Sequence, residues 1–201
     1  MSDTADAQAP RRGRPGYDRQ AVLDVAVVTF IEHGYDATSM GLLAARLGLS
    51  KAAIYHHFPA KTALLRAALD EALEGLEGSL EAATAPTAAA RLEAVLRSAV
   101  HVLVERLPYV TLLLRIRGNT EVERDAMRRR RAFDRAVTAL VNDAAAEGAL
   151  RRDVNAGVAT RLLFGMINSI VEWYRPSGPE DADQLADDVL TIALHGLSAA
   201  P

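Results

Sequence analysis

One stretch of this chain, residues 38–61 with the sequence TSMGLLAARLGLSKAAIYHHFPAK, leaves little freedom in how it can fold. Thr38 and Ser39 carry hydroxyls of the kind that accept from the orphan N–H groups at a helix start. Met40, Leu43 and Leu47 then recur at helical spacing as one apolar stripe. Gly48 follows, able to take the left-handed backbone that ends a helix. Leu49 plugs the angle between two helices, Ser50 caps the second, and Ile54 with Phe58 gives that helix an inward side. Pro59 stops it. Lys51, Ala52, Tyr55 and His56 are left for the outer flank. Two short helices joined by a tight turn containing Gly form a helix-turn-helix, whose second helix enters the major groove of DNA. Charge agrees: residues 37–69 hold no Asp or Glu, while Arg46, Lys51, Lys61 and Arg66 fall inside, in a chain of net charge −3. The competing reading, an αα-hairpin inside an ordinary helical domain, does not account for turn chemistry, capping and charge coinciding.

The same residues carry a resemblance. AARLGLSKAAIYHHFPAKTALL, with Gly34-Tyr35 and Thr38-Ser39 upstream, is similar to the DNA-binding domain of the tetracycline-repressor (TetR) family, over about residues 17–73. The resemblance implies an all-α dimer in which three N-terminal helices bind double-stranded DNA at a palindromic operator. A larger C-terminal region would hold a small-molecule pocket and the dimer interface. Carried over by position, Thr38, Tyr55, His57 and Lys61 would contact phosphates. Lys51, Ala52 and His56 would face the groove, with Ser50 at the start of their helix. Ala52 offers only apolar contact, for instance to a thymine methyl, so base reading here is thinner than with Gln or Arg.

Composition narrows the rest. A chain of 201 residues, half of them hydrophobic, has room for a substantial core. Abundant Ala and Leu without clustered strand formers favour helix. No cysteine is present, which excludes disulfides and thiolate metal sites and suits a reducing cytoplasm, the expected location. The N-terminus lacks an apolar segment of the secretory type. The longest strongly apolar run, residues 162–171, falls short of the ~20 residues of a membrane span. Neither a Gly-rich phosphate loop, nor histidines at metal spacing, nor a nucleophilic serine turn is present. No catalytic residue, cofactor or metal is therefore expected, and the chain is read as no enzyme.

Taken in order, the chain reads as about nine helices. Residues 1–16 form a basic arm expected to be disordered. Its Arg12-Gly13-Arg14-Pro15 resembles the core of AT-hook peptides, which would lay Arg14 in a minor groove. A solvated tail with non-specific phosphate attraction explains it equally. Residues 17–62 make the DNA-binding unit and residues 63–201 the helical region for ligand and dimer. Asp18 caps helix 1, and Val22, Val25, Ala26, Thr29 and Phe30 form its inward stripe up to Gly34. Helix 4 runs from Ala60 to about Leu80, joins reader to remainder, and is the expected lever for a signal. Helices follow over residues 88–106 and 108–117, then from an Asn119 or Thr120 cap to Glu147. The run Arg128 to Arg131 reads as an exposed face, with Asp125 in reach of Arg129 and Asp134 near Arg130 and Arg131. Helix 8 starts at Asp153 or Asn155 and ends near Arg175; helix 9 spans residues 180–198 with the stripe Leu185, Val189, Ile192, Ala193 and Leu197. Helix 8 is apolar nearly all round, so the last two helices are where a homodimer is expected.

Helices 6 to 8 are apolar enough to wrap a cavity, and Arg115, Arg117, Asn168 and Glu172, with Trp173 nearby, are the polar and aromatic candidates for a ligand. The segment MINSIVEWYRPSGPEDADQLADDVLTIALHGL is similar to the C-termini of TetR-family regulators of fatty-acid, steroid and phenylacetate catabolism, several of which respond to acyl-coenzyme A thioesters. That resemblance implies an effector with an apolar acyl part and a polyphosphate, the latter suited to Arg115, Arg117 or Arg175. The sequence thus predicts a repressor released from its operator by a small molecule, an acyl-CoA thioester among the candidates. The alternative is an architectural or ligand-independent helical DNA binder.

Overall fold

The computed structural model describes residues 18–197, which fold into nine α-helices and no strand. The arm with Arg14 and the side chain of Leu197 lie outside the described residues. Helix α1 spans Arg19–His33, with the Asp18 carboxylate accepting from the Ala21 N–H at 2.7 Å, and Gly34 leaves it at φ 83°. Helix α2, Met40–Leu47, is capped by Ser39 and closed by Gly48 at φ 62°. The Gly48 and Leu49 N–H groups return to the carbonyls of Ala45 and Ala44, a left-handed closure that turns the chain sharply. Helix α3, Lys51–His57, starts at Ser50, whose hydroxyl accepts from the Ala53 N–H at 3.2 Å. The chain then turns through Pro59 into α4, Lys61–Ala82, which runs without a break at the expected boundary after residue 62.

Helix α5, Ala88–Glu105, lies at the centre, packed on α4, α7 and α9. Its first N–H, on Ala88, donates to both carboxylate oxygens of Glu147 at 3.0 and 2.9 Å, so an anion from the far end of α7 sits on the positive end of α5. Gly75 lets α4 come close: a Cβ there would lie 2.9 Å from Val102 Cγ1. Helix α6, Leu107–Arg115, takes Pro108 in its first turn and stops two residues before the expected Arg117. Helix α7, Glu121–Ala146, begins with a reciprocal cap between Thr120 and Glu123. Helix α8, Ala156–Trp173, is capped by Asn155, and α9 spans Ala182–Leu197.

The arginine run differs in detail from expectation. Asp125 pairs with Arg128 at 2.7 Å, not with Arg129. Arg129 lies a further 100° round the helix, toward α4, and its guanidinium bridges Asp70 at 2.6 Å and Glu77 at 2.7 Å. One continuous apolar core runs from Val22 in α1 to Ala193 in α9 and includes Leu64, Leu65, Leu69 and Leu73 of α4.

Candidate nucleic-acid interface and interior cavity

Ile54 of α3 and Phe58 at its end are buried, which fixes the helix's rotation and leaves Lys51, Ala52, Tyr55 and His56 exposed. His57 is half-buried, and its ring meets that of His56 edge-on at 5.4 Å. Ser50 is exposed with its hydroxyl committed to the cap. Helix α4, whose first residue Lys61 is half-buried, starts after three intervening residues; Ala60 provides no side-chain cap, its carbonyl accepts from the Ala63 and Leu64 N–H groups, and the N–H groups of Lys61 and Thr62 are left at the positive end of the helix.

Two of the expected phosphate contacts are engaged elsewhere. Thr38 is only 2 % exposed, and its hydroxyl donates to the Gly34 carbonyl at 2.8 Å. The Lys61 ammonium donates to the carbonyls of Tyr35, Asp36 and Thr38 at 2.8, 3.3 and 2.8 Å and lies 4.2 Å from the Tyr35 ring centre. All three of its donors are used, which ties the start of α4 to the turn between α1 and α2.

The second feature is a cavity among α4 to α8. It is lined by apolar side chains including Leu76, Leu103, Val110, Leu113, Phe133 and Phe164, and three polar residues reach it: Arg130, Asp134 and Asn168. Its volume is about 30 Å³, room for roughly one water. Burial raises the pKa of the Asp134 carboxyl, and the nearby Arg130 and Arg135 work against that shift. Of the five residues expected at a ligand, only Asn168 lines this cavity. Arg115 donates instead to the Ile31 carbonyl at 3.3 Å, while Arg117, Glu172 and Trp173 are exposed. Sequence reasoning missed Arg130 and Asp134, which four residues apart look like an exposed ion pair; Phe133 beside them was the one sign of an apolar edge.

Helix α6 connects the two features. Val110, Leu113 and Leu114 line the cavity. On its other side the Tyr109 hydroxyl donates to the Asp24 carboxylate and accepts from the Gln20 amide at 2.7 Å, both on α1. Burial, then the bond to Asp24, holds the Tyr109 pKa well above the ordinary tyrosine range. Just ahead of α6, Arg106 donates to the Glu71 carbonyl on α4 and to its carboxylate at 3.1 Å. The helix that walls the cavity is thus fastened to both helices that carry the reader.

A third surface lies on α8 and α9, where Leu162 and Ile192 are each 67 % exposed. They border an apolar cleft of about 290 Å³ with Val154, Leu163, Met166 and Ala193. No helix of the described residues is long and apolar enough to cross a membrane.

Comparison with known proteins fits this layout. The family model for bacterial regulatory proteins of the tetR family matches residues 22–68, and that for the tetracyclin repressor-like C-terminal domain matches residues 85–197. The HTH-type transcriptional repressor KstR2 of Rhodococcus jostii (strain RHA1) is 26 % identical over 207 residues, covering 97 % of this chain and 96 % of that protein. SCO3833 of Streptomyces coelicolor A3, a member of the TetR transcriptional regulator family, is 54 % identical with a TM-score of 0.82, covering 89 % of this chain and 91 % of that one. AibR, solved in complex with isovaleryl coenzyme A and operator DNA, is 26 % identical with a TM-score of 0.69, covering 86 % of this chain and 96 % of that one. With both halves matched and a relative of this similarity along nearly its whole length, the chain belongs to the tetR family of bacterial transcriptional regulators.

Proposed function

We propose that this regulator is a repressor that binds a palindromic operator as a homodimer and leaves it when an acyl-coenzyme A thioester enters the cavity. The observation that carries the reading is the small volume of that cavity beside a helix fastened to α1 and α4. At about 30 Å³ it cannot admit an acyl chain unless α6, α7 and α8 move apart. A ligand that fits only the spread arrangement shifts the population toward it, as differential affinity requires. Movement of α6 pulls on α1 through Tyr109 and on α4 through Arg106, changing the spacing of two α3 helices in a dimer. Those helices must stand ~34–36 Å apart, or a near multiple, to enter one face of a duplex.

Lys51, Ala52 and His56 are proposed to meet base edges, and Tyr55, His57 and the Lys61 and Thr62 N–H groups at the start of α4 to meet phosphates. The apolar face of α8 and α9 is the proposed dimer surface, since single exposed leucines are ordinary but a contiguous cleft of them is not. The acyl-thioester class is supported by the ligand in the AibR complex and by the apolar lining with few polar groups. A gel shift with the protein's own upstream DNA tests it. The dimer is expected to retard a palindrome from that region well below the concentration needed for random DNA, and a thioester to release it. Equal binding to random DNA would end the operator reading; retention of the complex against every thioester would end the effector reading.

A further inference from the structure

Most arginines in the described residues are occupied: Arg46 pairs with Glu32, Arg97 with Asp187, Arg129 with Asp70 and Glu77, and Arg151 with Asp153. Arg130, Arg131 and Arg135 make no hydrogen bond or close ion pair among the described residues, and the charges of Arg130 and Arg135 act on the half-buried Asp134 carboxyl between them without closing on it. They sit within one and a half turns of α7, with Arg130 at the cavity and Arg131 and Arg135 exposed. On the neighbouring helix, Asn168 reaches the same cavity. The contacts of Thr138 with Thr160 at 3.1 Å and of Phe133 with Phe164 at 5.4 Å run α7 and α8 antiparallel, which brings Asn168 to the level of Arg130 and Arg131.

We infer that Arg131 and Arg135, with Arg130 behind them, form the seat for the phosphorylated head of the effector, whose acyl chain fills the apolar cavity beneath. This rests on the effector reading above and places the head on α7, away from Arg115 and Arg117. Arg115 is held against Ile31, and Arg117 follows the far end of α6. Guanidinium groups one turn apart with their hydrogen-bond donors uncommitted suit phosphate oxygens, which they grip with two parallel hydrogen bonds, and they outnumber the one nearby carboxylate, Asp134. The patch is out of reach of a duplex held by α3. Arg66 meets Asp125 and Arg129 meets Asp70 and Glu77, so α7 ascends beside α4. Asp70 and Glu77 stand ~14 and ~24 Å along α4 from Lys61, and Arg131 and Arg135 lie beyond Arg129 on that climb.

The test uses the full chain and titration calorimetry with butyryl-, octanoyl- and palmitoyl-CoA, each beside its free acid. For a thioester that binds the wild type, the Arg131→Ala/Arg135→Ala variant is expected to lose at least about tenfold in affinity while the matching acid changes less than about twofold. Arg131→Lys/Arg135→Lys should recover part of the loss. Arg161→Ala, which removes another unpaired exposed arginine on α8, should bind as the wild type does. Unchanged operator binding shows that the variants are folded. Thioester affinity equal in wild type and double alanine variant overturns the inference and leaves the repressor reading standing. So does a larger loss in Arg117→Ala, or a tenfold fall in operator affinity of the double variant without thioester, which would give these arginines to DNA. If none of the three thioesters binds the wild type, this inference and the effector reading fall together.

Discussion

Lys61, expected at a phosphate, is a side chain already held by the chain's own carbonyls. Its ammonium bonds three carbonyls of the turn between α1 and α2 and rests on the Tyr35 ring. Removing it strips charged donors from a half-buried turn, so Lys61→Met should cost about 1–3 kcal/mol, read as a lower melting temperature. A lysine on a phosphate would lower the slope of log affinity against log salt by about 1 on removal; for Lys61→Met we expect an unchanged slope. Tyr109 makes the second case. Tyr109→Phe keeps the ring and leaves Gln20 and Asp24 bonded to each other at 3.0 Å, so stability should fall by only about 1 kcal/mol. Its effect belongs to signalling: operator affinity without effector should stay within about twofold. The thioester concentration for half-release should rise several-fold, and half-release at the wild-type concentration would show that Tyr109 carries no signal. What the sequence disclosed at this scale was local. Ser39, Ser50, Thr120 and Asn155 each cap a helix through an N–H three residues on, a bond that chain spacing dictates. The Tyr109–Asp24 and Arg115–Ile31 bonds join residues 85 and 84 apart, and periodicity carries no information about them.

Among elements, α4 and α7 are buckled by Arg129 rather than merely packed. Its hydrogen bonds hold the Glu77 carboxyl below the usual carboxylate range, outweighing the upward push of burial. A carboxylate whose folded pKa is lowered stabilises the fold above its unfolded pKa of about 4.3 and loses that contribution as pH falls through the folded value. The melting temperature should therefore drop between about pH 5 and 3, and Arg129→Leu should show a shallower drop over that window. At neutral pH the variant should be less stable by about 1–2 kcal/mol, discounted for the partial exposure of all three side chains. Equal acid slopes in the two proteins would remove Arg129 from this role. Helix existence and order were readable because apolar spacing marked each segment and side-chain caps marked the starts of α1, α2, α3, α5, α7 and α8. The rotation of α7 was not, because four successive arginines look alike until α4 supplies carboxylates for one of them and the cavity claims another.

At the scale of the whole molecule, the proposed pairing through the apolar face of α8 and α9 is open to a direct test. Leu162 and Ile192 are so exposed that Leu162→Asp/Ile192→Asp should fold normally as a single chain. Sedimentation should show the wild type as a dimer and the variant as a monomer. Losing the second half-site contact should weaken operator binding by roughly 100-fold or more. A variant that stays dimeric would move the interface elsewhere.

The run of α4 without a joint from the helix-turn-helix into the C-terminal helices has a bearing on how such proteins can be rebuilt. Leu64, Leu65, Leu69 and Leu73 belong to the same interior as Val22 and Leu96, so no cut in this stretch separates two self-sufficient pieces. A chimera that exchanges only residues 18–60 would inherit a seam shaped for a different α1. Recombining specificities in this scaffold therefore means transplanting α1, α4 and α6 as a matched set.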